Sequence, residues 1–131
     1  MARKNEEYQL AKSVSTYLKL QYPTVIFRFD MAGLNLSITQ AGMNKAIQQS
    51  KAYPDLHILV GKSTADSGWA NGLFIELKKE GTKLFKKNGD FITDHIKEQY
   101  EMLEKLIKQG YVAHFGIGFD ATKKIIDNYL K

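Results

Sequence analysis

Apolar positions along this chain switch between helical and strand-like spacing, and the switches mark out its elements. In EEYQLAKSVSTYLKLQY, Ala11, Val14 and Leu18 fall at helical intervals, Leu10 and Tyr17 widen the stripe, and Pro23 stops it. TVIFRF, residues 24–29, is β-branched and aromatic, which predicts a short strand closed by Asp30 and the Ala32-Gly33 break. Met43, Ala46 and Ile47 are in helical register and predict a second helix ending near Tyr53-Pro54. DLHILV, residues 55–60, reads as a second strand. GKSTADSGWANG reads as a loop around the only tryptophan, Trp69, and LFIELKK, residues 73–79, as a third strand. The segment 83–92, KLFKKNGDFI, has two short runs about Asn88-Gly89, a pair typical of a type I′ hairpin turn. Thr93 or Asp94 can cap a helix carrying Ile96, Tyr100, Leu103 and Ile107 on one face, ended by Gly110. YVAHFGI supplies a fourth strand, and Asp120 a cap for a last helix that packs through Ile125, Ile126, Tyr129 and Leu130. The order αβαββαβα predicts an α/β fold, a central mixed four-stranded sheet flanked by helices.

Composition narrows the picture. A chain of 131 residues, 44% apolar, suits a single domain spanning 1–131 with one core and one site. The lack of cysteine excludes a disulfide framework and cysteine-rich zinc sites, and fits a reducing compartment. No leader-like stretch and no apolar run near twenty residues is present, so an intracellular, cytoplasmic protein without membrane association is expected. A formal charge of +5 favours an anionic partner such as nucleic acid.

The candidate chemistry sits in FIELKKEG, residues 74–81. Strand alternation puts Phe74, Glu76 and Lys78 on one face and Leu73, Ile75 and Leu77 on the other, so two charges share a side of a core strand. Asp55 opens the preceding strand just after Pro54; if the two strands pair, Asp55 and Glu76 converge, with Lys78 beside them. Two adjacent carboxylates repel unless a proton or a metal separates them. Mg²⁺ suits this arrangement, since it takes oxygen ligands, keeps waters and needs one or two carboxylates plus a substrate phosphate.

This constellation resembles the PD-(D/E)XK nuclease superfamily, with Pro54-Asp55 as its PD element and Glu76-Leu77-Lys78 as its (D/E)XK element. Within it the pattern looks most like phage-type members of the VRR-NUC and Holliday-junction-resolvase-like group. The shared features are a leading helix with an acid, a PD strand, an ExK strand, a helix bearing glutamine, and Gly-Tyr-Val before the last strand. The resemblance implies that Asp55 and Glu76 bind Mg²⁺, with Mn²⁺ as a substitute, that the Leu77 carbonyl completes the shell, and that Lys78 orients or helps deprotonate the attacking water. It implies an acid on the first helix, for which Glu7 is chosen because it is in line with Ala11, Val14 and Leu18 while Glu6 is rotated away. Gln99 matches the family's glutamine, which would contact the water or the scissile phosphate. The expected activity is hydrolysis of DNA phosphodiester bonds, on branched or structured DNA, in phage recombination, repair or replication inside a bacterial host. The lysine-rich insert between Glu80 and Asp94 is longer than in minimal members.

Other residues weigh differently. Asp30 reads either as a turn residue or as an outer-shell or DNA-side group. His57, His95 and His114 are not spaced as metal ligands and read as structural, although His57 alternates onto the face of Asp55. Lys79, Lys83, Lys86 and Lys87 form a run that would track phosphates in a nuclease and otherwise make a solvated face. A homodimer is expected, because a chain this short leaves little room for a separate DNA-binding domain. The competing readings are a catalytically silent nucleic-acid-binding module of the same fold and a small basic structural or protein-binding protein.

Overall fold

The structure is a computed structural model and describes residues 2–30, 37–47, 49, 52–66 and 68–131. Helix α1 spans Ala2–Gln21 and buries Leu10, Val14 and Leu18, a line spaced four residues apart on one face. It is followed by β1 (Phe27–Phe29), α2 (Ile38–Ile47), β2 (Leu56–Ile58), β3 (Lys62–Thr64), β4 (Gly68–Ala70), β5 (Leu73–Lys78), α3 (Asp94–Lys108), β6 (Val112–Ile117) and α4 (Phe119–Leu130). The main sheet has the order β1-β2-β5-β6. Its first two junctions are antiparallel, and β5 and β6 run parallel. A parallel pair requires a crossover, and α3 supplies it.

Strand β5 is buried along its whole length because helices cover both of its faces. Leu73, Ile75 and Leu77 join Leu56 and Ile58 of β2, the buried line of α1, and Ile126 and Tyr129 of α4 in the larger core. On the opposite face Phe74 packs with Leu103 of α3 and Ala113 of β6. Helices α1 and α4 are tied at one polar point. The hydroxyls of Tyr17 and Tyr22 donate to Asp127 Oδ1 at 2.5 and 2.6 Å, and Lys123 Nζ lies 3.2 Å from Oδ2. Partial burial works to raise the Asp127 carboxyl, but these donors together outweigh it and hold its pKa at about 2.

The mixed four-stranded sheet agrees with the sequence pattern, and several details differ from it. Residues 61–72 were expected to be a loop, yet they contain the β3–β4 hairpin, with Lys62 opposite Ala70 and Thr64 opposite Gly68. Backbone pairing carries this hairpin, and Thr64 Oγ1 donates to the Gly68 carbonyl at 2.9 Å; its side chains show no apolar alternation to reveal it. Asn88-Gly89 does not form a type I′ turn, which needs two positive φ angles: among the described residues only glycines have positive φ, Gly89 at 92°. Gly89 N–H instead donates to the Lys86 carbonyl and Lys86 N–H to the Asp90 carbonyl, a three-residue loop closed by glycine, while Asn88 Oδ1 accepts from Asp90 N–H at 3.0 Å. The α4 N-cap is Gly118 without a side-chain cap, and Asp120 lies in the first turn. Strands β1 and β2 are shorter than TVIFRF and DLHILV, and α2 ends at Ile47 with Ile38, Met43 and Ile47 exposed. The Ala32-Gly33 break lies outside the described residues. Among the described residues no helix is long and apolar enough to cross a membrane.

Helix α3 starts at the N-cap Thr93, whose Oγ1 accepts from Ile96 N–H at 3.1 Å, and Gly110 follows its end with φ 94°. Its buried line is Ile96, Gln99, Met102 and Leu103, rotated from the predicted face; Tyr100 is 36% exposed and Ile107 52%. Tyr100 is instead drawn to the hairpin, where Phe85 and Phe91 lie 6.4 and 5.1 Å from its ring. The rotation turns a glutamine toward the sheet.

Candidate active site

The site is set by strand register. Leu56 lies opposite Ile75, and the same antiparallel ladder continued by one residue brings Asp55, just before β2, across from Glu76. Buried Pro54 precedes it. Asp55 N–H donates to Glu76 Oε2 at 3.2 Å, Leu77 N–H donates to Asp55 Oδ2 at 2.8 Å, and the Asp55 carbonyl accepts from Asp30 N–H at 2.7 Å. Asp55 is thereby held on both sides, by the helix-covered centre of the sheet and by the end of β1.

Glu76 is only 4% exposed and Lys78, two residues along on the same face, 7%. From α3, Gln99 Nε2 donates to Glu76 Oε1 at 2.5 Å. Burial pushes the Glu76 carboxyl well above the ordinary range, and the Asp55 carboxylate beside it adds to that push; Lys78 pulls the other way without overcoming it. Among the described residues no three His, Asp or Glu side chains gather closely enough to hold a metal, and Asp55 and Glu76 are the carboxylates that meet at this point. Two hard carboxylate oxygen donors fit Mg²⁺, which completes its shell with water and phosphate oxygen.

Asp55 also lines a cleft of about 350 Å³ between α1 and the sheet, together with Glu7, Asp30 and Leu77. Glu7 is half-buried there, whereas Glu6 is exposed and pairs with Lys79 at 3.5 Å on another side of the helix. The structure thus gathers Asp55, Glu76, Lys78 and Gln99 at one point, with Asp30 beside Asp55 and Glu7 across the cleft on α1. The Leu77 side chain faces the core, leaving only its backbone near Asp55. Lys83, Lys86 and Lys87 are exposed on the hairpin that connects β5 to α3.

The histidines separate into two kinds. His57 stacks on Phe74 with ring centroids 4.0 Å apart, and burial lowers its pKa, as it does that of His114. His95 is different: it is exposed at the start of α3, and its Nε2 lies 3.1 Å from Gln99 Nε2. A four-residue interval on one helix was the available signal for that contact.

No protein-family model and no curated protein matches the chain. Among solved structures it is similar to a VRR_NUC domain protein, with a TM-score of 0.61 and 24% identity over 95% of this chain and 87% of the other. The chain has a VRR-NUC nuclease-like fold.

Proposed function

We propose that this protein is a metal-dependent endonuclease that hydrolyses DNA phosphodiester bonds, on branched or structured DNA, with Mg²⁺ as its cofactor and Mn²⁺ as a substitute. The observation that carries the reading is the placement of Asp55 and Glu76 against each other, beside buried Lys78, with Asp55 also lining a cleft. A structural carboxylate pair deep in a sheet would cost stability with no return. A catalytic pair is repaid by the ion it binds.

When bound, the metal supplies a Lewis acid that polarises the phosphate and acidifies a water. The protein's part is to hold charges in place. Asp55, fixed by Leu77 N–H, and Glu76, fixed by Gln99 and Asp55 N–H, present oxygens that need not reorganise. Glu76 would hold the ion as the ionised carboxylate, opposite Asp55. Lys78 keeps a positive charge near Glu76 with little water around it, where it offsets negative charge building on the phosphate. Glu7 adds negative charge across the cleft, and Asp30 beside Asp55. Lys79, Lys83, Lys86 and Lys87 are assigned to the phosphate track.

The test is a panel of linear, flapped and four-way DNA substrates with Mg²⁺ or chelator. Cleavage is expected with Mg²⁺ alone, and Asp55→Asn or Glu76→Gln should each abolish it. Salt-sensitive DNA binding with no cleavage of any substrate would replace this reading with that of a binding module.

A further inference from the structure

The geometry points to His95 as the positioning residue that decides which end of the Gln99 amide faces Glu76; this inference rests on the nuclease reading for its catalytic consequence. Gln99 Nε2 carries two hydrogens and has two neighbours, Glu76 Oε1 at 2.5 Å and His95 Nε2 at 3.1 Å. Glu76 takes one hydrogen. The second can be used only if His95 Nε2 is an acceptor, which requires a neutral ring with its proton on Nδ1.

With Glu76 ionised, turning the amide over would bring its carbonyl oxygen against a carboxylate oxygen, two lone-pair-bearing atoms at hydrogen-bond distance; with Glu76 protonated, that oxygen could accept from the carboxyl. His95 as an acceptor opposes the turned amide in both cases, since it would then face the carbonyl oxygen. The orientation held by His95 leaves Gln99 Oε1 buried with no hydrogen-bond partner among the described residues. A buried carbonyl oxygen without a donor costs on the order of 1–3 kcal/mol, so its retention in a 7% exposed side chain needs a reason. A donor that enters beside Glu76 supplies one. With both N–H groups engaged, Gln99 offers an incoming group only an acceptor, which suits a water molecule and does not suit a phosphate oxygen. His95 therefore selects between the two contacts open to this glutamine. It meets Gln99 and acts on Glu76 through it.

Two measurements test this. Long-range ¹H–¹⁵N correlation spectra of the metal-free protein report the tautomer of each of the three histidines, with His95 assigned by its loss in His95→Ala. His95 is expected as the Nδ1–H tautomer, and Gln99→Met, which removes the amide, should shift it to the Nε2–H form. An Nε2–H tautomer in the wild type, or no change in Gln99→Met, overturns the inference whatever the protein cleaves. Cleavage at saturating Mg²⁺ is the second measurement. His95→Ala should lower kcat by roughly 10–100-fold with KM little changed, and His95→Gln, whose Oε1 can accept at similar reach, should restore most of it. Equal loss in both variants, or loss in neither, also overturns it. A wild type that cuts no DNA would remove the nuclease reading, while the spectra would still decide whether His95 orients Gln99.

Discussion

Glu76 is the residue on which the proposed chemistry turns, and its environment makes a signed prediction. Its carboxyl holds a proton to higher pH in the folded chain than in the unfolded one, because burial and then Asp55 disfavour its charge. The stability it contributes is therefore full below the ordinary carboxylate range and is lost as pH rises through the folded value. Metal-free Glu76→Gln should melt no lower than the wild type, with an advantage that opens as pH rises above roughly 4.5 and closes below it. Melting curves in chelator across that range check this; a variant that melts lower at neutral pH would mark Glu76 as a structural partner. Added Mg²⁺ should raise the wild-type Tm and leave Glu76→Gln nearly unmoved. Lys78→Ala should separate from both, keeping metal stabilisation while turnover falls steeply, because it removes a fixed charge and no ligand. Asp127 carries the opposite sign. Its pKa is held down at about 2, so its contribution is present above the carboxylate range and lost as pH falls toward that value. Asp127→Asn should cost roughly 1–3 kcal/mol at neutral pH, read by denaturant unfolding, and little in strong acid.

At the scale of elements, the hairpin between β5 and α3 is the clearest candidate for a nucleic-acid contact. Its strands are pinned by the Phe85–Phe91 pair, 5.0 Å apart, and by Tyr100, which leaves Lys83, Lys86 and Lys87 on its outside. Replacing these three lysines with Ala should weaken binding about equally for all sequences and flatten the salt dependence by a slope of roughly 0.9 per lost contact on duplex DNA. An unchanged slope, measured by anisotropy titrations at several salt concentrations, would return them to a solvated face. How far such features could be read from the chain differs by element. In FIELKK the alternation was legible because a charged residue at every second position of an otherwise apolar strand has no ordinary packing role, and the position after Pro54 set the register for Asp55. Helix α3 misled for a physical reason. An apolar stripe locates the buried face only if every buried position is apolar, and here Gln99 lies inward to bind Glu76 while Tyr100 turns out to meet the hairpin. The β3–β4 hairpin was invisible because its pairing is made by backbone groups that any sequence carries.

At the scale of the whole molecule, one acidic pair can break one strand at a time, so resolving a branched duplex calls for two copies across one substrate. A symmetric homodimer is the expected working form. Sedimentation at micromolar concentration should show it, and a monomer with full activity on four-way DNA would exclude it. The parallel ladder between β5 and β6 has a consequence of a different kind, for the order in which the chain folds. Leu73 must find Val112 only after α3 has been laid across the sheet, whereas Asp55 and Glu76 are 21 residues apart and meet when β2 and β5 close. The shorter loop closes at lower entropic cost, so the pairing of β2 with β5 should come first. The two carboxylates then collide while the strand is still half wet, early on the path rather than at its end. In chelator at neutral pH, Glu76→Gln should therefore refold faster than the wild type in stopped-flow mixing, with its unfolding rate little altered. If the pair holds a metal as proposed, the folding chain would meet the repulsion of that site as a barrier on the way in, and magnesium would lower it before the fold was complete.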